Sequence, residues 1–258
     1  MTGSVLIDCF PESADRHRSR CAIVAIDVIR ATTTATTALR SGRRVFPART
    51  SDEAFVVAAT LDAPLLVGEL GGNMPDGFDM TNSPAQIARR ADTARPMVLV
   101  SSSGTQLLMN SAGSEAVYAA CLRNHEAVAR HLGGRHRRIA VLGAGTRGQF
   151  RREDQAVCAL VAHHLVEWGY TPENQQTIDW IERWRAQSRE SMCELIRAGR
   201  SADYLRRSGQ EEDLAFVLEH LNDLGIVPQL RGRELVDAAC VSSPCVTSER
   251  VRDGVSVE

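Results

Sequence analysis

The sequence predicts an α/β protein of three layers, in which helices cover both faces of a largely parallel sheet and the C-terminal third is rich in helix. Over the first two thirds of the chain, short apolar runs alternate with segments of helical periodicity, as strands joined by crossover helices do. Those helical segments also begin with capping patterns: Thr50 stands three residues before Glu53, and Ser83 is followed by Pro84 and Gln86.

Seven apolar runs are the candidate strands, at residues 5–9, 21–26, 44–48, 65–68, 97–101, 116–119 and 139–142. Later in the chain, helical periodicity predicts helices over 153–168, 173–198 and 214–221. The segment "IVPQLRGRELV" indicates a strand or hairpin, and the tail "VTSERVRDGVSVE" is expected to be partly disordered. We therefore predict a single α/β unit over residues 1–258, with a sheet-rich catalytic part at 1–170 and a helical extension with a C-terminal strand and tail at 171–258.

The composition narrows the classes of function. The formal net charge of −2 gives no electrostatic reason to expect nucleic acid or a membrane surface as a partner. All 30 basic residues are arginine, so an anion site must use guanidinium or backbone N–H groups, and Schiff-base chemistry on lysine is excluded. The seven scattered cysteines match neither a disulfide framework nor a zinc site. Since the sequence shows neither a signal-peptide pattern nor an apolar segment of membrane-spanning length, we expect a cytoplasmic protein.

Polar residues follow several of the candidate strands. In open α/β sheets, ligands bind beyond the carboxyl ends of the strands, so these side chains are the candidate functional groups. They comprise the carboxylates Asp8, Asp27, Glu69, Asp79, Glu153 and Asp154, and the anion-binding candidates Arg30, Thr32, Thr33, Ser102, Ser103, Gly104, Thr105 and Arg147. Carboxylate oxygens are the ligands that Mg²⁺ takes, usually one or two alongside water and substrate phosphate. Helix starts with Ser, Thr and Gly nearby offer N–H groups to phosphate.

Each of these residues also has a structural interpretation. Asp27 and Arg30 could form an ion pair at the end of a strand, and Asp79 could belong to a turn. Glu153 and Asp154 could merely complement the positive end of the helix that they open. The convergence of several carboxylates with an arginine at one end of the predicted sheet favours the functional interpretation.

Two other classes of enzyme are disfavoured. The segment "GAGTRG" at 143–148 matches the dinucleotide-binding pattern, but the predicted helix after it leads into another helix and not into a strand ending in an acidic residue. Glu153 and Asp154 at the helix start would also repel a pyrophosphate. A haloacid-dehalogenase-type phosphatase needs a second aspartate two residues after its nucleophile, whereas Val28 and Ile29 follow Asp27.

These motifs together resemble those of the 2-phosphosulfolactate phosphatase (ComB-like) family, the Mg²⁺-dependent phosphatases of coenzyme M biosynthesis. The matching stretches follow the family's order: "IDVIRATTT" at 26–34, "GE" at 68–69, "GFDMTNSP" at 77–84, "SGT" at 103–105 and "AGTRGQFRRED" at 144–154. The resemblance implies a phosphatase that hydrolyses a small phosphorylated acid, such as 2-phosphosulfolactate, to sulfolactate and phosphate, with Mg²⁺ as cofactor. It implies no nucleic-acid or membrane partner, and a homodimer is compatible with it.

The resemblance also implies roles for single residues. The catalytic group would be Asp27, Arg30 and Glu69. The Mg²⁺ ligands would come from Asp27, Glu69, Asp79, Glu153 and Asp154. The substrate contacts would come from Thr32, Thr33, Asn82, Ser102, Ser103, Gly104, Thr105 and Arg147. Whether Asp27 binds the metal or attacks phosphorus itself is open at this point.

The chain departs from the family pattern at two places. Leu70 follows Gly68–Glu69 where the family usually has arginine, and the segment 102–105 reads Ser-Ser-Gly-Thr where the family has Thr-Asn-Gly-Thr. Both changes remove groups that could contact an anionic substrate. The alternative is therefore a non-catalytic or differently specific phosphate-binding or anion-binding member of the same fold.

Overall fold

The computed structural model describes residues 3–146 and 148–241, and it contains one ten-stranded sheet flanked by helices. The strands are β1 (Ser4–Cys9), β2 (Ala22–Ile26), β3 (Val45–Ala48), β4 (Leu65–Gly68), β5 (Met97–Val100), β6 (Ala116–Ala120), β7 (Arg138–Gly143), β8 (Thr171–Pro172), β9 (Pro228–Arg231) and β10 (Glu234–Asp237). The helices are α1 (Ser13–His17), α2 (Ala31–Arg40), α3 (Ser51–Ala58), α4 (Pro84–Arg89), α5 (Gly104–Asn110), α6 (His125–Leu132), α7 (Arg152–Glu167), α8 (Gln175–Arg185), α9 (Arg189–Arg197), α10 (Arg200–Arg207), α11 (Glu211–Glu219) and α12 (Ala238–Val241). Arg147 and the tail predicted to be disordered lie outside the described residues.

The strands are ordered β4-β5-β3-β10-β9-β6-β2-β7-β1-β8. β3, β4 and β5 pair in parallel, and so do β6, β2, β7, β1 and β8. The antiparallel hairpin β9–β10 lies between these two sets, with one pairing contact to β6 and one to β3. This arrangement confirms the prediction of a largely parallel sheet.

Alternate residues of β2 show that both faces of the sheet are covered. Ala22, Val24 and Ile26 pack into one core with apolar residues of α6, α7 and α9 to α11. Ile23 and Ala25 point the other way, into a second core with residues of α2 and α5. A strand that is buried on both faces has no polar positions, which explains the continuous apolar run that predicted it.

All seven predicted strands are confirmed to within one or two residues at their ends. Both capping patterns are confirmed as well. The hydroxyl oxygen of Thr50 accepts the N–H of Glu53 at 3.1 Å, and that of Ser83 accepts the N–H of Gln86 at 3.2 Å. Local signals therefore located the start of α3 and of α4 correctly.

The prediction of one long helix over 173–198 is wrong. Helix α8 ends at Arg185, and α9 begins after Ser188. The hydroxyl oxygen of Ser188 accepts the N–H of Ser191 at 3.2 Å. The Ser188 hydroxyl accepts an N–H that has no carbonyl partner within the helix. A new helix therefore starts here, although the hydrophobic periodicity continues on both sides. The last predicted helix is α11, which begins at Glu211, before the predicted start at 214.

The segment "IVPQLRGRELV" forms the hairpin β9–β10, which lies inside the sheet and not at its edge. The buried side chain of Leu235 faces Val45 of β3 in the register. The C-terminal third thus supplies strands to the middle of the sheet as well as helices. No helix within the described part of the chain has the length and apolar character needed to cross a membrane.

Candidate active site

Asp27 lies in the turn between β2 and α2, and its side chain is buried. The N–H of Ala31, the first residue of α2, donates to the Asp27 carboxylate. The turn is closed by two threonines: the Thr32 hydroxyl donates to the carbonyl oxygen of Asp27 at 2.7 Å, and the Thr33 hydroxyl donates to that of Val28 at 2.7 Å. Thr32 and Thr33 were predicted to contact substrate, but in the structure their hydroxyls shape the turn that presents Asp27.

The loop after β5 packs against Asp27. A Cβ atom on Gly104 would lie 2.2 Å from Asp27 Oδ2 and 2.7 Å from the Cβ of Ala31, so only glycine fits there. The hydroxyl oxygen of Thr105 accepts the N–H of Ser101 at 2.8 Å, so this side chain is hydrogen-bonded within the loop. Asp27 and the loop 102–105 therefore share one site, as the sequence predicted, although Thr105 serves the loop's own geometry.

Glu69 follows β4 and is held by the same loop. Its Oε1 accepts the Ser102 N–H at 2.8 Å, and its Oε2 accepts the Ser102 hydroxyl at 3.0 Å and the Gly72 N–H at 2.8 Å. Ser103 precedes α5 in the capping position without a capping hydrogen bond from its side chain. The structure thus places Glu69, Ser102 and Ser103 beside Asp27.

Glu153 and Asp154, in the first turn of α7, complete the carboxylate cluster, by which we mean Asp27, Glu69, Glu153 and Asp154. Asp154 Oδ1 accepts the N–H of Val28 at 2.9 Å, and its Oδ2 accepts the N–H of Gly145 at 3.2 Å. Asp154 therefore connects α7 to the turn that carries Asp27. It also accepts a backbone N–H of the "GAGTRG" segment, which is then not free to bind a phosphate. Glu153 is also fully buried, and its Oε2 has no hydrogen-bond partner among the described residues.

Burial and mutual repulsion shift the pKa values in this cluster. The pKa of Asp27 rises from 3.8 to about 7, mainly because the carboxyl is buried and next because of the Glu69 charge. The charge of Glu153 adds to this, while the Ala31 N–H and the more distant charge of Arg30 act in the opposite direction. Burial likewise raises the pKa of Glu153 and that of Asp154, the latter with help from Asp27 and Glu153. A bound cation would relieve this repulsion.

The carboxylate cluster offers oxygen ligands of the kind that a divalent cation binds. Across the described residues, no three His, Cys, Asp or Glu side chains are arranged as a ready-made metal cage. Mg²⁺ does not require one, since it keeps several waters and commonly takes one or two carboxylates with substrate phosphate. The unpartnered Oε2 of Glu153 and the crowded carboxylate of Asp27 offer that kind of ligand. The donor set therefore fits Mg²⁺.

Arg30 is not an ion-pair partner of Asp27. Its Nη1 donates to Asp213 Oδ2 at 2.5 Å and to Oε1 of Gln210. The other carboxylate oxygen of Asp213 accepts the Ser83 hydroxyl at 2.6 Å and the Ala85 N–H at 3.2 Å. Asp213 thus joins α11, the start of α4 and the arginine of the Asp27 turn in one buried network.

Asp213 is a residue that the sequence analysis did not single out. It stands in the first turn of α11 beside Glu211 and Glu212, where acidic residues are common because they complement the helix dipole. In the structure its side chain is almost wholly buried, in contrast to the exposed carboxylate of Glu212. Among three adjacent acids, the sequence carries no signal that distinguishes the buried one.

Two predicted residues of the described ranges, Asp79 and Asn82, lie away from the carboxylate cluster. The Asp79 carboxylate is half exposed, accepts the N–H of Leu66 at 2.8 Å and lies 3.6 Å from Arg95, which makes it a turn and strand-edge residue. Asn82 is buried next to Ser83, on the side of the Arg30–Asp213 network, and its Oδ1 has no partner within the part of the chain described. Arg147 lies outside the described residues.

Comparison with known proteins gives a consistent set of relatives. A profile of the 2-phosphosulpholactate phosphatase family matches residues 9–233. A probable 2-phosphosulfolactate phosphatase of Synechococcus sp. (strain CC9605) is 33% identical over 215 residues, which cover 80% of this chain and 88% of the relative. Proteins of the same description from Symbiobacterium thermophilum (33% over 221 residues, 83% and 93% covered) and Deinococcus radiodurans (37% over 166 residues, 63% and 68% covered) are also similar.

The matched region contains every element that builds the carboxylate cluster: the turn after β2, the loops after β4 and β5, and the start of α7. It also contains α11, which carries Asp213. The resemblance inferred from short motifs therefore extends from the end of β1 to the turn between β9 and β10. The chain belongs to the 2-phosphosulpholactate phosphatase family.

Proposed function

We propose that this protein is a Mg²⁺-dependent phosphatase that releases inorganic phosphate from a small phosphorylated acid of the 2-phosphosulfolactate type. Membership of a phosphatase family supports the reaction class. The observation that carries the metal dependence is the carboxylate cluster, in which the buried Asp27, Glu153 and Asp154 lie close to the half-buried Glu69. Such a cluster of like charges is costly without a cation or protons to neutralise it.

In this proposal Asp27 and Glu153 hold the Mg²⁺, which would supply a positive charge next to the substrate phosphate. Glu69 is fixed by Ser102 and keeps the loop 102–105 against Asp27. Arg30, held by Asp213, presents a guanidinium group whose fork geometry suits phosphate oxygens.

Without a cation, burial raises the pKa of Asp27 to about 7, and Mg²⁺ beside the carboxyl would lower this pKa and keep the group ionised. An ionised carboxylate next to the substrate can take a proton from an attacking water and pass it on to the leaving alcohol. The water oxygen then bonds to phosphorus, the ester P–O bond breaks, and the alcohol leaves with a proton. Direct attack by the Asp27 carboxylate is the alternative route.

A second candidate function is an anion-binding or differently specific member of the family. It is motivated by Leu70, whose exposed side chain stands at the position where the family usually has an arginine. The N–H and carbonyl of Leu70 pair with Asn73, so the backbone of this short turn is ordered independently of that side chain. The change affects the choice of ester and leaves the carboxylate cluster intact.

One experiment separates the two functions. Purified protein is assayed for phosphate release from 2-phosphosulfolactate and a panel of small phosphate esters, with Mg²⁺ and with chelator in its place. We expect Mg²⁺-dependent release from at least one phosphorylated acid, and release that is slower by about 100-fold or more with Asp27→Asn. If no ester is hydrolysed while inorganic phosphate binds in calorimetry, the second function replaces the first.

A further inference from the structure

Helix α10 contacts two members of the carboxylate cluster, one directly and one through a single residue. At its start, a Cβ atom on the capping residue Gly199 would lie 3.6 Å from Glu153 Oε2, so the helix begins against that carboxylate. Further along, the hydroxyl of Tyr204 donates to the carbonyl oxygen of Gly72 at 2.6 Å. Gly72 donates its own N–H to Glu69 Oε2 at 2.8 Å. One short helix of the C-terminal third therefore reaches both Glu153 and Glu69.

The residues that follow Glu69 form a two-residue hairpin turn. The backbones of Leu70 and Asn73 exchange hydrogen bonds at 2.8 and 3.1 Å, and the two glycines between them have φ values of +62° and +92°. Such a turn needs φ > 0 at both central positions, which glycine adopts at little cost. The N–H of Gly71 donates to the Ser102 hydroxyl oxygen at 2.7 Å, beside the bond from Gly72 to Glu69. Because two consecutive glycines restrict the backbone so little, the contacts of this turn with its neighbours decide where its N–H groups point.

Tyr204 joins this glycine turn to the hydrophobic core. Its ring packs directly on Gly72, since a Cβ atom on that glycine would lie 2.7 Å from Tyr204 Cζ. The same ring packs against the core that covers one face of β2, together with residues of α7 and α9 to α11. The hydrogen bond from Tyr204 to Gly72 therefore holds the turn to a well-packed part of the molecule.

We propose that Tyr204 is a positioning residue for the phosphatase reaction, which fixes the glycine turn and thereby the pair Glu69–Ser102. The inference rests on the proposed function. Glu69 Oε1 accepts the N–H of Ser102 at 2.8 Å, and the loop that contains Ser102 packs on Asp27. A continuous set of hydrogen bonds thus runs from Tyr204 through Gly72 and Glu69 to the loop beside Asp27. Without the Tyr204 hydroxyl, the turn gains freedom, and the loop is held less firmly against Asp27.

The groups proposed to act on the substrate depend on Tyr204 to different extents. The alignment of Asp27 depends on the loop that Glu69 holds, and so on Tyr204. Arg30 is held by Asp213, in a separate network on the side of α11. Loss of the Tyr204 hydroxyl should therefore slow the chemical step and leave binding of the phosphate group at Arg30 nearly unchanged.

Hydrogen exchange tests this coupling without any substrate. Exchange is followed by mass spectrometry in peptides that cover 69–76 and 101–106. We expect Tyr204→Phe to raise exchange about five- to tenfold in both peptides, since one hydrogen bond is lost and the N–H groups of the turn and the loop are less protected. Tyr170→Phe is the matched control, because the Tyr170 hydroxyl also donates to a backbone carbonyl, that of His136, at 2.6 Å, and it lies beyond the opposite end of α7 from Glu153. Unchanged exchange in 101–106, or an equal increase in the control, would overturn the proposal.

Kinetics then test the consequence for the reaction. With Mg²⁺ and a phosphorylated acid that the wild type hydrolyses, we expect Tyr204→Phe to lower kcat about tenfold and to leave KM within about twofold. Tyr170→Phe should leave both constants unchanged. Equal melting temperatures of the two variants with an unaltered kcat for Tyr204→Phe, or a rise in its KM alone, would show a structural role only and overturn the proposal. Failure of the wild type to hydrolyse any ester would refute the proposed function, while the exchange measurement would still decide whether Tyr204 fixes Glu69 and Ser102.

Discussion

At the scale of single residues, the site depends on charges that are buried together. Within the described part of the chain, Asp27 forms no ion pair, and Arg30 is bonded to Asp213. Its carboxylate is held by the Ala31 N–H and repelled by Glu69 and Glu153. The charge of Asp27 is thus poorly compensated by its described neighbours, and a cation or a proton would neutralise it.

For Asp27→Asn we expect a folded protein with an unchanged or higher melting temperature and a turnover reduced about 100-fold or more, the equivalent of about 2.7 kcal/mol. The pKa of about 7 means that the folded state binds more protons than the unfolded state between pH 4 and 7. Ionisation of Asp27 therefore lowers stability as pH rises through that window, and asparagine removes this loss. The measurement is thermal unfolding and steady-state turnover at pH 8, with Asp79→Asn as control. A folded Asp27→Asn variant with normal turnover would show that Asp27 is not part of the active site.

For Asp213→Asn we expect lower stability, by roughly 3–5 kcal/mol, because Arg30 would stay buried without its counter-charge. We also expect kcat/KM to fall about tenfold or more at a temperature where the variant is folded, since Arg30 loses its fixed position. Glu212→Gln is the control, because that neighbouring carboxylate is exposed and pairs with Arg89. Chemical denaturation and kinetics check both expectations. Identical behaviour of the two variants would show that Asp213 does not position Arg30.

At the scale of elements, helix starts bring the functional groups together. The first turns of α2, α5 and α7 converge, and each contributes a contact to Asp27: an N–H from Ala31, the bare Cα of Gly104, and the charge of Glu153. The close approach of α5 requires a residue without a side chain. The packing of these helices is therefore as important to the site as the charged groups.

Gly104→Ala tests that approach. The new methyl group would lie 2.2 Å from Asp27 Oδ2, so the carboxylate or the helix must move. We expect a loss of stability of about 1–3 kcal/mol and a larger relative loss of turnover. Gly225→Ala is the control, since a Cβ there meets nothing within 4 Å. Unfolding curves and phosphate release check this, and a Gly104→Ala enzyme with wild-type turnover would contradict the described contact.

The packing of α6 on α7 gives a pH dependence. Burial lowers the pKa of His125 from 6.5 to about 4, with help from His164, whose ring stacks on it at 5.6 Å. Between pH 4 and 6.5 the unfolded state binds more protons than the folded state. The contribution of neutral His125 to the free energy of unfolding is therefore fully present above pH 6.5, and it falls by on the order of 3 kcal/mol as the pH decreases to 4. We expect His125→Phe to reduce this loss and His163→Phe to retain it, measured by denaturation from pH 4 to 7.5. Parallel curves for wild type and His125→Phe would refute the assignment.

At the scale of the whole molecule, the C-terminal third is part of the sheet and of the site. It supplies the hairpin β9–β10 between β3 and β6, and it supplies Asp213 to Arg30. Its helices α8 to α11 also close the core on one face of β2. The sheet-rich part at 1–170 is therefore incomplete by itself.

A chain that ends at residue 170 should show no cooperative unfolding, because it lacks the middle of its sheet and the cover of one face. In the full chain, Leu235→Ala should cost about 2–5 kcal/mol, as buried leucine truncations do. Calorimetry of both proteins checks this, with Leu70→Ala as a control at an exposed position. A sharp melting transition of the truncated chain would show that the first 170 residues fold independently.

The sequence by itself determined the described strands except the two-residue β8, the capped starts of α3 and α4, the family and the four carboxylates of the cluster. These are local signals: a strand buried on both faces is apolar throughout, and the serine or threonine that caps a helix lies within three residues of the N–H that it accepts. Asp27, Glu69, Glu153 and Asp154 could be predicted because each directly follows a strand or opens a helix.

Only the tertiary structure decided which groups are partners. Asp213 lies 183 positions from Arg30 along the chain, and the sequence gives it the same appearance as two exposed neighbours. The location of β9–β10 inside the sheet likewise depends on segments far apart in sequence. The physical reason is that burial and electrostatic pairing are set by the three-dimensional neighbours of a side chain, whereas propensity and periodicity report only its neighbours along the chain.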